Sequence, residues 1–161
     1  MRTLKENIRV QSSPQAVWDV LADFGDTAAW APGMRRSEVK GEPKTGVGSY
    51  RVMRHVWGFT IEESVTQWTE GAGYAFDLVR APFPMCKVHE TVRLEQGDDH
   101  AVVTTSVSYA MRLGVIGYLL DAVFVRFLIR REMRTSLRGL KHFVELKAAN
   151  GVSPVLATPV D

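Results

Sequence analysis

The stretch that decides the fold is GYLLDAVFVRFLIRREMRTSLRGLKHFVELKA, Gly117–Ala148. Apolar residues recur in it three and four apart, which predicts one long helix interrupted only by Gly139. Leu120, Val123, Phe124 and Phe127 give way to Met133, Leu137, Leu140 and Val144 as the expected buried stripe. The first half is apolar nearly all round, so it needs a broad apolar cover, and a curved sheet supplies one. It is too short to cross a bilayer. Val115 to Ile129 runs for about 15 residues and carries Asp121 and Arg126, where a span needs roughly 20 largely uncharged ones.

Working back from the helix, the period changes to two between Arg36 and Met111. Strands are expected at Ser37–Gly41, from Gly46 onward, and at Tyr74–Arg80, Cys86–Glu95 and Ala101–Met111. Ala81-Pro82-Phe83-Pro84 and Gln96-Gly97-Asp98-Asp99 are the turns between the last three. A tight turn at Trp57-Gly58 would pair Val56 with Phe59, Arg54 with Ile61, Val52 with Glu63 and Tyr50 with Val65. That register puts Tyr50, Val52, Arg54, Val56, Phe59, Ile61, Glu63 and Val65 on one mostly apolar, inward face. Arg51, Met53 and His55 fall on the other.

Nearer the start, Lys5–Val10 alternates as a short strand. Ser13 and Pro14 suit the N-cap and first position of a helix carrying Ala16, Val17, Val20 and Leu21. A second short helical stretch ends at Pro32-Gly33. The expected class is therefore α+β, with about six or seven antiparallel strands curved around one long C-terminal helix. Residues 1–149 form one domain and residues 150–161 a loose tail. A single helix fills the concavity of such a sheet less densely than a second sheet would, so an internal cavity is expected.

These elements resemble the START-like (SRPBCC) superfamily, in particular its polyketide cyclase/dehydrase and lipid-transport branch. The resemblance rests on Ser13-Pro14-Gln15-Ala16-Val17-Trp18, Asp23-Phe24, Trp30, Pro32, Gly46-Val47-Gly48-Ser49-Tyr50-Arg51, Gly58, Ile61-Glu62-Glu63-Ser64-Val65 and the terminal helix, over residues 4–146. It implies a helix-grip fold with a deep hydrophobic cavity. It also implies that Trp30–Met34 and Ala81–Met85 border the cavity mouth. Members range from polyketide cyclases to lipid carriers, so the fold alone does not choose a function.

The composition narrows the field further. The 161 residues are 45% hydrophobic and 24% charged, with a formal net charge of +2, an ordinary globular mixture that gives no sign of a nucleic-acid partner. The lone Cys86 leaves no internal disulfide and fits a reducing compartment. Met1–Asn7 has no apolar core of a signal peptide, so a cytoplasmic setting is expected. The four histidines, His55, His89, His100 and His142, lack metal-ligand spacing, and no phosphate loop or nucleophile elbow is present; neither metal nor cofactor is expected.

The expected function is to hold a hydrophobic small molecule, a polyketide, lipid or aromatic, as carrier or sensor. The expected lining is Trp18, Phe24, Trp30, Tyr50, Val52, Ile61, Val65, Phe76, Leu78, Val107, Phe124 and Phe127. The alternative is a cyclase or dehydrase in which Arg54, Glu63 and Tyr109 steer proton transfers. Arg126, Arg130, Arg134 and Arg138 form a helix face that reads first as a solvated surface and second as a contact for a membrane.

Overall fold

The computed structural model describes residues 1–97, 99–112 and 114–151. Seven antiparallel strands form one sheet in the order β1-β7-β6-β5-β4-β3-β2. They are β1 Arg2–Val10, β2 Met34–Lys40, β3 Tyr50–His55, β4 Thr60–Thr69, β5 Gly73–Arg80, β6 Met85–Gln96 and β7 Ala101–Met111. Helix α1 (Pro14–Ala22) and a 3₁₀ segment (Phe24–Ala29) lie between β1 and β2. The Ser13 hydroxyl accepts from the Ala16 amide at 3.2 Å, closing the N-terminus of α1 as its sequence suggests.

The long helix runs from Gly114 to Gly151 as α2 (Gly114–Leu120), a π turn (Asp121–Val125) and α3 (Arg126–Gly151). Asn150 and Gly151, read as tail, close the helix; residues 152–161 of the expected tail lie outside the described residues. No helix among the described residues is long and apolar enough to cross a membrane.

Two expectations are corrected. The first is the β3–β4 register, in which Tyr50 faces Ser64, Arg51 faces Glu63, Val52 faces Glu62, Met53 faces Ile61 and Arg54 faces Thr60. The connection is a three-residue loop, Val56-Trp57-Gly58, rather than a two-residue turn. The Gly58 amide bonds the His55 carbonyl at 2.9 Å, and Gly58 takes the left-handed conformation, φ 88°, that this loop requires. One extra loop residue slips the pairing by one and turns β3 over. Tyr50, Val52 and Arg54 thus face outward, while Arg51, Met53 and His55 are buried.

The second correction concerns the first half of the helix. Leu120, Val123, Phe124 and Phe127 are exposed, and Asp121 and Val125 are buried in their place. Asp121 is drawn inward because its carboxylate accepts the Tyr109 hydroxyl and pairs with Arg2 Nε at 2.7 Å. A charge in apolar surroundings needs such partners, and the π turn delivers it to them. The second half behaves as read, with Met133, Leu137, Leu140 and Val144 buried.

The core divides in two. One cluster gathers Val10, Val17, Trp18, Leu21, Phe24, Tyr74, Val103, Leu140 and Val144; the other gathers Leu4, Val88, Val107, Tyr109, Val125 and Met133. Gly139 marks where α3 presses on the chain after the 3₁₀ segment. A Cβ there would stand 2.0 Å from the Trp30 carbonyl oxygen. Gly139→Ala should therefore lower stability by roughly 1–3 kcal/mol in urea denaturation, although alanine favours a helix over glycine by about 1 kcal/mol.

Candidate functional site

Between sheet and helix lies a cavity of about 440 Å³. Its walls are Met53, Ile61, Phe76, Leu78, Val88, Val92 and Val107 from the sheet and Val125, Ile129, Met133 and Leu137 from the helix. Its mouth lies at the β3–β4 and β5–β6 connections and the start of the helix, where Trp57, Phe83 and Phe124 line the cavity and are also exposed. Trp30, Ala31, Met34 and Pro82–Met85 contribute to the lining, so both proline-bearing loops border the cavity.

Polar groups enter this apolar space in two places. Near the mouth, His55 is stacked on Phe59, with ring centroids 4.4 Å apart and planes 7° from parallel. Its Nδ1 accepts from the Trp57 amide at 3.2 Å. The neutral ring then carries its proton on Nε2, which faces Glu132 Oε1 at 3.5 Å. The second place is four residues farther along β3, roughly 13 Å deeper. There Arg51 Nε donates to Glu63 Oε2 at 2.9 Å and Nη2 donates to the same oxygen. Nη1 donates to the Phe24 carbonyl at 2.8 Å and to the Thr27 hydroxyl, and the guanidinium lies 3.7 Å from the centre of the Phe24 ring. Burial raises the Glu63 carboxyl above its ordinary range, against the opposing pull of Arg51.

Beside this pair stands Glu90, on the inner face of β6 between Val88 and Val92. Its carboxyl is pushed up to about 7 by burial and by the charge of Glu63, against a hydrogen bond from the Thr105 hydroxyl at 2.7 Å. The two acidic groups differ in what they have left to offer. Arg51 spends its donors on Glu63, Phe24 and Thr27, so that pair holds the cavity floor together. Glu90 has one protein partner among the described residues and keeps capacity for another. Protonated, it donates to a carbonyl or ether oxygen; ionised, it accepts from a hydroxyl.

Of the expected lining, Trp30, Ile61, Phe76, Leu78, Val107 and Phe124 do face the cavity. Trp18 packs edge-on against Trp68 at 5.3 Å and donates its indole proton to Glu70 at 2.7 Å, in the core beyond the cavity. Phe24 and Val65 also belong to that core, Tyr50 and Val52 sit on the outer face, and Phe127 is exposed on the helix. The expected catalytic set does not assemble either. Glu63 is on the cavity floor, but Arg54 is exposed on the far side of the sheet. Tyr109 is buried with its hydroxyl on Asp121, outside the lining.

His55, read on the outer face, is buried, and Asp77 and His89 pair at 2.6 Å toward solvent. Arg130 and Arg134 reach Glu6 of β1, at 3.9 and 2.9 Å. Sequence reasoning missed Arg51, Glu90 and Thr105. The signal for Glu90 was available: it occupies an apolar register position, two residues from Val88 and two from Val92.

Seven strands gripping one long helix around an apolar cavity define a helix-grip protein of the START-like (SRPBCC) type. The chain belongs to the polyketide cyclase/dehydrase and lipid transport family, whose model matches residues 1–145. It is similar to an uncharacterised protein from Bacillus thuringiensis (17% identity, TM-score 0.71, 89% of this chain and 98% of that one). It is also similar to the protein XoxI from Bacillus cereus (18%, 0.72, 89% and 96%) and to Ara h 8.0201 (17%, 0.70, 89% and 97%). At these identities the likeness is one of fold. No curated protein sequence matches the chain.

Arg51→Met should cost about 3–5 kcal/mol in chemical denaturation, because it strands a buried Glu63, and the double variant with Glu63→Leu should recover part of that loss. Glu90 ties stability to pH. Between its ordinary 4.5 and about 7 the unfolded chain ionises this group while the folded chain keeps it protonated. Its contribution is therefore complete at low pH and declines as pH rises through 7, by on the order of 3 kcal/mol in total. Glu90→Gln should remove that decline, flattening Tm between about pH 5 and about pH 8 relative to the parent.

Proposed function

We propose that the protein binds one hydrophobic small molecule, a polyketide, lipid or aromatic, inside this cavity as a cytoplasmic carrier or sensor. The observation that carries the reading is an apolar cavity of about 440 Å³ whose deep end holds Glu90, a carboxyl with one hydrogen bond and capacity for another. That volume lies within the ordinary range for small-molecule pockets, roughly 300–1,000 Å³. The family's lipid-transport description agrees with it. The guest that suits the geometry is long or polycyclic, with one neutral oxygen for Glu90 and an apolar body along Phe76, Leu78 and Val107.

A cyclase or dehydrase reading is favoured by one feature, the placing of the Glu90 carboxyl near neutrality, where an acid can both give and take a proton. In that reading Glu90, rather than Arg54 or Tyr109, is the group in contact with substrate.

Binding is tested with a neutral fluorescent aromatic amine, N-phenyl-1-naphthylamine. Its emission should rise and saturate at one molecule per chain. Val107→Trp, which fills the cavity, should weaken binding at least about tenfold, equivalent to roughly 1.4 kcal/mol. Val107→Phe should give an intermediate loss, and Arg54→Ala, on the outer face, none. Absence of saturable binding, or equal affinity in the parent and a folded Val107→Trp variant, would overturn the proposal.

A further inference from the structure

The inward turn of Asp121 leaves the opposite side of the helix apolar and uncovered. Val115, Ile116, Leu119, Val123, Phe124 and Phe127 are each between 58% and 81% exposed. Phe83, 72% exposed, stands on the other lip of the cavity mouth. Isolated exposed apolar residues are ordinary, but six on one helical segment beside a cavity mouth form a surface built to be covered.

The charges around it indicate what covers it. From Arg112 to Arg138, the exposed charged side chains among the described residues are all arginines. Of the two acids in that span, Asp121 is fully buried on Arg2 and Tyr109, and Glu132, its side chain 36% exposed, turns to the cavity and faces His55 at 3.5 Å. Glu6 engages Arg130 and Arg134, which leaves Arg112, Arg126 and Arg131 about the apolar patch. A second copy of the chain meeting this face across a two-fold axis would bring arginines against arginines. An anionic lipid surface supplies the opposite charge at the depth where the apolar side chains leave water.

We propose that this face docks on an anionic lipid bilayer, with the apolar side chains of residues 115–127 set below the headgroups and Arg112, Arg126 and Arg131 among them. The cavity mouth, edged by Phe83 and Phe124, then opens toward lipid, so a hydrophobic guest passes between bilayer and cavity without crossing water. Docking stands independently of the ligand reading; only the exchange route rests on it.

The test is flotation of the purified full chain with vesicles of phosphatidylcholine alone and with about one third phosphatidylglycerol. The parent should float with the anionic vesicles and at least about tenfold less with neutral ones. The double variant Val123→Glu/Phe127→Glu should lose flotation at least about tenfold while melting like the parent, because both side chains point into solvent. It should also keep its affinity for N-phenyl-1-naphthylamine, which separates loss of docking from loss of the pocket. Arg112→Glu/Arg131→Glu should abolish the preference for anionic vesicles. The proposal is overturned if the parent does not float, or if the folded Val123→Glu/Phe127→Glu variant floats as well as the parent. It is equally overturned if light scattering shows a parent dimer, indifferent to vesicles, that these substitutions make monomeric.

Discussion

A guanidinium buried under a sheet needs hydrogen-bond partners and a counter-charge, and the arrangement around Arg51 follows from that requirement. Meeting it draws together Glu63 of β4, the Phe24 carbonyl and Thr27 of the 3₁₀ segment, and the face of the Phe24 ring. The β3–β4 hairpin and the 3₁₀ segment are thereby fixed at one point, which becomes the floor of the cavity. The same commitment shapes Glu90. Because Arg51 is committed to Glu63, the second carboxyl receives little relief from positive charge and its proton stays on until near neutrality. Structural rigidity and chemical readiness thus come from one ion pair.

Much of the fold was legible in the sequence, because it depends on periodicity over long stretches. The strands β5, β6 and β7, the capped α1 and the buried stripe of α3 each carry enough repeats for period two or period 3.6 to stand out. The β3–β4 face was not legible, and the cause is local. Whether Val56-Trp57-Gly58 closes as two residues or three changes every inward position on β3, and the apolar residues there do not decide it. Met53 and Val52 are equally apolar neighbours on opposite faces. Reading the face with Val52 inside put Arg54 in the interior and left Arg51 and His55 outside, where the structure has the reverse.

The first half of the long helix misled for a different reason. When almost every residue is apolar, hydrophobicity cannot say which side is buried, and the deciding residue is the polar one. Asp121 has buried partners in Tyr109 and Arg2, and no linear pattern joins residues 2, 109 and 121 before the sheet brings β1 beside β7. Glu90 was the legible exception, a lone carboxylate in a valine register on a strand whose period was otherwise clear.

The close approach of Gly139 to the Trp30 carbonyl gives the helix unequal fittings at its two ends. At the Gly139 end backbone bears directly on backbone, and Leu140 and Val144 are locked in the core. At the Asp121 end one carboxylate tethers a segment whose other side is bare. Mechanically the helix is a cantilever, clamped beyond the cavity and pinned lightly beside its rim. Any outward deflection of such a beam is largest at the mouth and vanishes at the clamp. Such deflection widens the mouth beside Phe124 and leaves the polar floor in place.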